Sequence, residues 1–137
     1  MQSEKRLLLD EEGGVTYNIS ISENSTYIIL EITGDITRQN AMQKNVKVHK
    51  FGREHGIKKY LVDLTNSRNK DTIINNYQFA YKDIQNTPDF DKTAIVAFVV
   101  APEDNSHDFI ETVARNNGLN ITIFRDKGKA IEFLNSK

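Results

Sequence analysis

The sequence contains no cysteine and no long apolar run, and both absences narrow the kinds of protein it can encode. Without cysteine there are no disulfides, no thiol nucleophile and no thiolate metal ligand, which suits a reducing compartment. The short apolar stretch near the N-terminus, Leu7–Leu9, is followed directly by acidic residues and cannot form the core of a secretory signal. No stretch approaches the length of a membrane span. We therefore expect a cytoplasmic protein with no membrane insertion.

The sequence also lacks an excess of charge of either sign. The formal net charge is -1, so no overall field would recruit nucleic acid or an anionic membrane. One basic stretch occurs in a predicted helix, but its residues wind around the helix and no aromatic residues interleave to stack on bases. We interpret it as a solvated helix surface and expect no nucleic-acid partner. Its members are Lys44, Lys47, Lys50, Arg53, Lys58 and Lys59.

The length of 137 residues suits one domain. Residues 1–14 are predicted to be a flexible N-terminal tail that ends at Gly13-Gly14, and residues 15–137 an α/β domain. Within the domain, alternating or continuous apolar residues predict strands, and apolar residues at helical spacing predict helices. The predicted strands are 15–21, 27–33, 60–65, 93–100 and 121–124, and the predicted helices are 37–55, 72–85, 105–118 and the segment from 126 onward.

The order ββαβαβαβα predicts a mixed, mostly parallel sheet with crossover helices, opened by an antiparallel hairpin. The run Thr93–Val100 is the most apolar and is predicted to be covered on both faces. Homodimerisation is a further hypothesis, because the hairpin carries Tyr17, Tyr27 and Ile29 beyond the apolar bulk that one core requires.

No catalytic constellation emerges from the residue pattern. His49 and His55 fall on different helix faces, and together with His107 they are interpreted as surface histidines, so we expect no metal site. No serine sits in a glycine-flanked elbow, and no glycine-rich loop is present to hold a phosphate. We predict no cofactor and no enzymatic activity. A hydrolase or transferase site built from Asp63, Arg68, Lys70 and Asp71 is the least favoured hypothesis.

The polar segment that follows the strand Tyr60–Thr65 is the candidate interaction or ligand loop. It lies at the carboxyl end of a predicted parallel strand, directly before a helix, where open α/β sheets commonly place function. Asp71 is predicted to cap that helix, since its carboxylate can accept hydrogen bonds from the first amides. The candidate residues are Asn66, Ser67, Arg68, Lys70, Asp71 and Thr72.

The element order, with Tyr60-Leu-Val-Asp-Leu-Thr65 as third strand, resembles the STAS domain of sulfate transporters and anti-sigma-factor antagonists. In the antagonists a strand ending Asp-Leu-Ser leads to Asp-Ser-Ser-Gly, whose second serine is phosphorylated. Here Asp71 falls on that aspartate and Thr72 on the first serine, whereas Ile73 takes the position of the phosphorylated serine. The resemblance thus implies a regulatory, protein-binding module without the usual hydroxyl.

The C-terminal pattern of Phe124-Arg-Asp126, Ala130, Phe133 and Leu134 is similar to a less characterised STAS-like group. Members of that group have been likened to lipid-transfer domains of the CRAL-TRIO type. This likeness implies a second class of function, a carrier or sensor of a small apolar or anionic ligand held between the sheet and the helices.

The helix from Thr72 to Gln85 carries one aromatic residue that its periodicity does not explain. Apolar residues on one side are predicted to pack on the core, namely Ile73, Tyr77, Ala80, Tyr81 and Ile84. Phe79 falls about 200° from Tyr77, at about 100° per residue, among polar residues. It is therefore a candidate partner-facing residue, with contact to Phe90 in the following loop as the alternative. Our first hypothesis is a non-catalytic, STAS-like protein-interaction module, and our second is the ligand carrier.

Overall fold

The computed structural model describes residues 8–12 and 14–137, which form one six-stranded sheet flanked by helices. The strands lie in the sheet in the order in which they occur along the chain. The first three are antiparallel neighbours, and each later strand is parallel to the one before it. They are β1 (Leu8–Glu12), β2 (Val15–Ile21), β3 (Ile28–Ile36), β4 (Lys59–Asn69), β5 (Ile95–Val100) and β6 (Asn120–Phe124).

The helices cover both faces of the sheet. Right-handed crossovers between sequential parallel strands place all three connecting helices on one face, and the C-terminal helix covers the other. The helices are α1 (Arg38–His55), α2 (Ile73–Gln78) with a π-helical turn (Phe79–Asp83) that continues it, α3 (Asp108–Asn116) and α4 (Lys127–Asn135). None of the described helices is both long and apolar enough to cross a bilayer.

The predicted α/β architecture is confirmed, including the opening hairpin of β2 and β3. Alternate residues of the central strands face opposite helix layers, as the period of two in a strand requires. On β4 and β5, Leu61, Ala97 and Val99 pack against α4, whereas Val62 and Val100 belong to the core beneath the crossover helices. β5 is therefore covered on both faces, which accounts for its nearly continuous apolar sequence.

Part of the segment predicted as a flexible tail is a strand. β1 pairs antiparallel with β2, from Leu8 opposite Ile19 to Glu12 opposite Val15. Residues 1–7 and Gly13, which the same prediction covers, lie outside the described residues. Because β1 shields one edge of the sheet, residues 8–12 form part of the fold.

Two strands run further than the sequence pattern predicts. β3 continues to Ile36, and β4 continues to Asn69 by pairing in parallel with it. The pairing shifts register after Glu31 and Asp63, because β4 has one more residue than β3 before pairing resumes at Thr33 and Asn66. Such a bulge leaves consecutive polar residues exposed and so hides the alternation that marks a strand. Most of the predicted loop is therefore strand.

The N-cap of α2 is Thr72, not the predicted Asp71. The Thr72 side chain accepts a hydrogen bond from the backbone N–H of Asn75 at 3.1 Å. Asp71 instead accepts one from the backbone N–H of Arg38 at 2.6 Å, at the start of α1. The Asp71 carboxylate also accepts hydrogen bonds from the Thr72 N–H and the Asn75 side chain. These bonds, the bond from Arg38 and the Arg38 charge hold the pKa of the Asp71 carboxyl below its usual range, against the opposing effect of desolvation.

The homodimer hypothesis rested on three hairpin residues, Tyr17, Tyr27 and Ile29. These residues pack mostly into the core of their own chain. Tyr17 lies in the core beneath the crossover helices, and Tyr27 packs with the residues that meet α4. Ile29 is half-buried against the same α4 layer. The apolar surplus that motivated a homodimer is thus satisfied within one chain, and the homodimer stays a prediction without that support.

Candidate functional site

A cavity of about 120 Å³ lies between the sheet and the three crossover helices. The inward faces of β3, β4 and β5 form its floor, and α1, the π-helical turn and α3 form its walls. Its apolar lining comprises Leu30, Ile32, Ile36, Val48, Val62, Leu64, Phe79, Ile84, Ile110 and Ile121. Right-handed crossovers between β3, β4, β5 and β6 place the three connecting helices on this face. The cavity is thus a product of the fold as a whole.

His49 brings a polar ring into this apolar surrounding. Its side chain is 5% exposed and lies between two aromatic rings, with centroid distances of 5.1 Å to Tyr60 and 5.0 Å to Phe90. Burial lowers the pKa of His49 to about 4, although the charge of Asp91 acts in the opposite direction. The expected surface position of His49 is therefore wrong. The helix turns this residue inward beside Val48, and the ring is neutral at pH 7.

His107, also expected at the surface, is buried beside the carboxyl ends of β4 and β5. Its Nε2 lies 3.6 Å from Oδ2 of Asp104, whose side chain is fully buried. Burial lowers the pKa of His107, opposed by the Asp104 charge and by a hydrogen bond with the Ser67 backbone. His107 also lines the cavity. His55 is exposed, as predicted.

The Asp104 carboxylate also organises the end of β4. Its Oδ1 accepts from the Ser106 backbone N–H at 2.8 Å and from Arg68 Nη1 at 3.3 Å. The pKa of Asp104 is lowered because these hydrogen bonds and the charges of His107 and Arg68 outweigh desolvation. The arrangement is a buried ionic anchor between two strand ends, with Arg68 as its half-exposed cation.

The basic stretch contains one residue that is not on the surface. Lys44 is 2% exposed, and its ammonium lies 4.2 Å from the centre of the Tyr17 ring. The prediction of a solvated surface is therefore wrong at this position. Lys44 lies one turn before Val48 on α1, and both residues are buried and line the cavity. Lys50, Arg53 and Lys58 are exposed as predicted.

The predicted loop residues do not converge on one site. Ser67 is buried and donates its hydroxyl to the Leu64 carbonyl at 3.3 Å, while Arg68 pairs with Asp104. Asn66, Lys70 and Thr72 are exposed, and Asp71 serves the start of α1. The segment mainly joins β4 to α1 and α2.

The residues of the least favoured hydrolase hypothesis also point to different partners. Asp63 lies 3.6 Å from Lys127 of α4, on the opposite side of the sheet from the cavity. Arg68 pairs with Asp104, and Asp71 with α1. Across the described ranges, no group of three or more His, Asp or Glu side chains could hold a metal ion.

Phe79 does not face a partner. Its side chain is 8% exposed and packs with Ile110 and Val113 of α3, with Phe90 against the same cluster. The expectation for Phe79 is corrected because the buried side of α2 and the π-helical turn includes Phe79 together with Ala80 and Ile84, which are buried as predicted. The inward residues are Phe79, Ala80, Asp83 and Ile84. The alternative contact with Phe90 accounts for Phe79.

The side of α2 and the π-helical turn that faces away from the core carries exposed apolar residues. Ile73 and Ile74 are each 73% exposed, and Tyr77 and Tyr81 stack on each other with ring centroids 5.3 Å apart. We call these four residues the α2 surface patch. Ile73, Tyr77 and Tyr81 were predicted to face the core. Their spacing of four is as regular as that of Ala80 and Ile84, so periodicity alone could not separate the exposed residues from the buried ones.

One solved structure matches nearly the whole architecture. It is an uncharacterised protein of the DUF3478 family from Shewanella loihica PV-4, described as having a SpoIIAA-like fold. The TM-score is 0.55 at 19% sequence identity, and the match covers 93% of this chain and 99% of that one. The fold is SpoIIAA-like. The resemblance to STAS domains is thereby confirmed for the fold.

The SpoIIAA-like fold by itself assigns no partner, ligand or reaction, since an identity of 19% shows architecture alone. No protein-family model matches the chain, and neither does any curated protein. Function must therefore be argued from the cavity, its two buried histidines and the α2 surface patch.

Proposed function

We propose that the protein is a non-catalytic, STAS-like module that binds a small, mostly apolar ligand in the cavity between the sheet and the crossover helices, as a carrier or sensor. The single observation that carries this proposal is the cavity itself. Protein interiors are normally packed to the density of organic crystals, so an apolar space of about 120 Å³ is unusual in a domain of this size.

The size and lining of the cavity define the ligand that would fit. An apolar cavity of about 150 Å³ in another protein is large enough to hold benzene. The cavity here is slightly smaller, so it suits a ring of six atoms or a short branched chain. Apolar walls favour such a ligand because binding removes its surface from water.

Native mass spectrometry of the protein purified from its own host tests this proposal. We expect recurrent extra mass on the wild type, released by mild heating or organic solvent. Ala41→Leu should lose the extra mass, because position 41 lines the cavity and an isobutyl group would occupy it. Met42→Leu is the matched control, since Met42 is exposed on the same helix. A clean apo mass, together with no binding of benzene-sized probes, would count against the proposal.

A protein-interaction function is the second candidate, and the α2 surface patch is the observation that favours it. Two isoleucines at 73% exposure and a stacked tyrosine pair form an apolar surface of the kind that marks binding sites. In the STAS resemblance, the same helix follows the phosphorylation motif. Thr72 is the one hydroxyl residue that remains next to the position of the phosphorylated serine.

Affinity capture with defined variants tests the second candidate. The double variant Ile73→Ser and Ile74→Ser should lose a partner that the wild type retains, because it removes the most exposed apolar side chains. Valine at both positions is the control and should retain that partner. If the serine variant and the wild type captured the same proteins, the α2 surface patch would not be a binding site for any of them.

A further inference from the structure

The polar lining of the cavity narrows the chemistry of its ligand, an inference that rests on the proposed function. His49 Nδ1 is buried and has no hydrogen-bond partner within the described part of the chain. A buried polar atom without a partner costs free energy, and ligands commonly satisfy such atoms. The ring lines the cavity and is held in place by Tyr60 and Phe90. The lining, which is mostly apolar but also includes Lys44, Asp91 and His107, therefore presents an unsatisfied nitrogen at His49.

The charge around His49 argues against an anionic ligand. With a pKa of about 4, roughly one imidazole in a thousand is protonated at pH 7, so the ring supplies no positive charge. Asp91 also lines the cavity, and its lowered pKa keeps its carboxylate ionised. A carboxylate ligand at this end would face a neutral ring and a negative neighbour.

The buried cation of the cavity lies elsewhere. Lys44 Nζ is placed over the Tyr17 ring, and Tyr17 pairs with Ile32 on β3. Tyr60, which contacts His49, pairs with Ile28 instead. Ile32 and Ile28 are four residues apart along β3, so the backbones of Tyr17 and Tyr60 lie about 13 Å apart along the strand direction, at 3.3 Å per residue. Lys92, which also lines the cavity, is an exposed residue.

We propose that the ligand carries one uncharged hydroxyl that hydrogen-bonds to His49 Nδ1, with its apolar body lying against Val62 and Phe79. A hydroxyl suits this position because it can donate to a bare ring nitrogen and accept from a protonated one, so it matches either tautomer of the neutral imidazole. The expected ligand class is a small phenol or alcohol, which narrows the broader class of apolar or anionic ligands.

Three probes of matched size test the proposal: benzene, phenol and benzoate, titrated into the full-length protein and followed by calorimetry and NMR. Phenol should bind about tenfold more tightly than benzene, the equivalent of one added hydrogen bond. Benzoate should bind at least about tenfold more weakly than phenol, because a carboxylate at His49 would face a neutral ring and the Asp91 carboxylate, while Lys44 is held over the Tyr17 ring. Equal binding of phenol and benzene would overturn the proposal, as would preferential binding of benzoate.

The variant His49→Leu should remove the preference, so that benzene binds at least as well as phenol. His55→Leu is the matched control, since His55 is an exposed histidine of the same helix whose Nδ1 lies 2.9 Å from the Phe51 carbonyl. It should retain the tenfold preference. A preference that survives in His49→Leu would overturn the role of His49.

A spectroscopic measurement on the wild type keeps the proposal testable if His49→Leu does not fold. Phenol should shift the ¹⁵N resonance of His49 Nδ1, and saturating benzene should shift it far less. Benzene and phenol binding without a shift of this resonance would overturn the hydroxyl contact but leave the cavity-binding function standing. Failure of all three probes to bind would overturn both.

Discussion

Burial makes protonation of two imidazoles, those of His49 and His107, less favourable in the folded chain. Burial lowers the pKa of His49 from 6.5 to about 4 and lowers the pKa of His107 as well. In the unfolded chain both pKa values return to about 6.5, so below that pH the unfolded state binds protons that the folded state does not. The contribution of His49 to stability is therefore present above pH ~6.5 and is lost as the pH falls towards 4, and the contribution of His107 has the same sign.

We expect the free energy of unfolding to decrease by about 2 kcal/mol between pH 7 and pH 5 on account of His49 alone. Urea unfolding at pH 7, 6 and 5 measures this decrease. His49→Leu should flatten the pH dependence, leaving the part that belongs to His107, while His55→Leu should keep it whole. The same slope in wild type and His49→Leu would show that the ring is not held neutral by burial.

Gly52 illustrates a close approach between α1 and β4. A Cβ at position 52 would collide with the Tyr60 hydroxyl and lie 2.8 Å from the Tyr60 ring carbon Cζ. Gly52→Ala is therefore expected to destabilise the protein by about 1–3 kcal/mol, as overpacking does in other cores. Denaturant unfolding would measure it.

A glycine-to-alanine substitution at Gly128 of α4 is the matched control for Gly52→Ala. A Cβ there would meet only Oδ1 of Asp126, at 3.2 Å. Gly128→Ala should change the free energy of unfolding by less than about 1 kcal/mol, and the helix propensity of alanine favours a gain. Equal losses at positions 52 and 128 would show that the Tyr60 contact is not the cause.

At the scale of elements, the Arg38–Asp83 ion pair joins α1 to the π-helical turn. Arg38 Nε and Nη2 donate to the two carboxylate oxygens of Asp83 at 2.6 and 3.1 Å, and the Asp83 side chain is buried. The π-helical turn, marked by the hydrogen bond from Ile84 N–H to the Phe79 carbonyl, places Asp83 there. This two-pronged geometry is the strong form of an arginine–carboxylate pair.

Double-mutant cycles with alanine test that connection. The coupling energy of Arg38 and Asp83 should be clearly favourable and should exceed that of Arg53 and Asp89, a single-contact pair at 3.3 Å with both side chains exposed. Exposed ion pairs contribute little because water screens them. Coupling energies that do not differ would argue against Arg38–Asp83 as a tie between the helices.

The sequence largely predicted which segments form strands and which form helices. It did not predict where each element ends or which of its faces is buried. The alternation of apolar and polar residues in β2 and the apolar run of β5 are patterns within a single segment. Each correctly predicted a strand. The extension of β4 to Asn69 depends on pairing with β3 past a bulge, which involves residues more than thirty positions away. The burial of Phe79 instead of Tyr77 depends on α3 and Phe90, which no local pattern contains.

At the scale of the whole molecule, β1 protects the edge of the sheet. Its antiparallel pairing with β2 satisfies backbone groups that would otherwise be open to another chain. Removal of residues 1–12 should therefore expose β2 as an edge and promote self-association.

Size-exclusion chromatography with light scattering would measure that association at increasing protein concentration. Removal of residues 1–6 is the control, because it leaves β1 in place, and it should behave as the full-length protein does. A monomeric protein after removal of residues 1–12 would show that the β2 edge is protected by other means.

The sequence by itself determined the class of this protein: one α/β chain of sequential crossovers, whose STAS-like order the SpoIIAA-like neighbour confirms. That information is local, because apolar periodicity and turn residues follow from the geometry of each segment. Only the tertiary structure decided which side of α2 is buried, where Lys44, His49 and His107 lie, and that a cavity remains between the layers. Those outcomes depend on packing between segments that are distant in the sequence. The pattern within one segment does not contain the shape of the surface against which it packs.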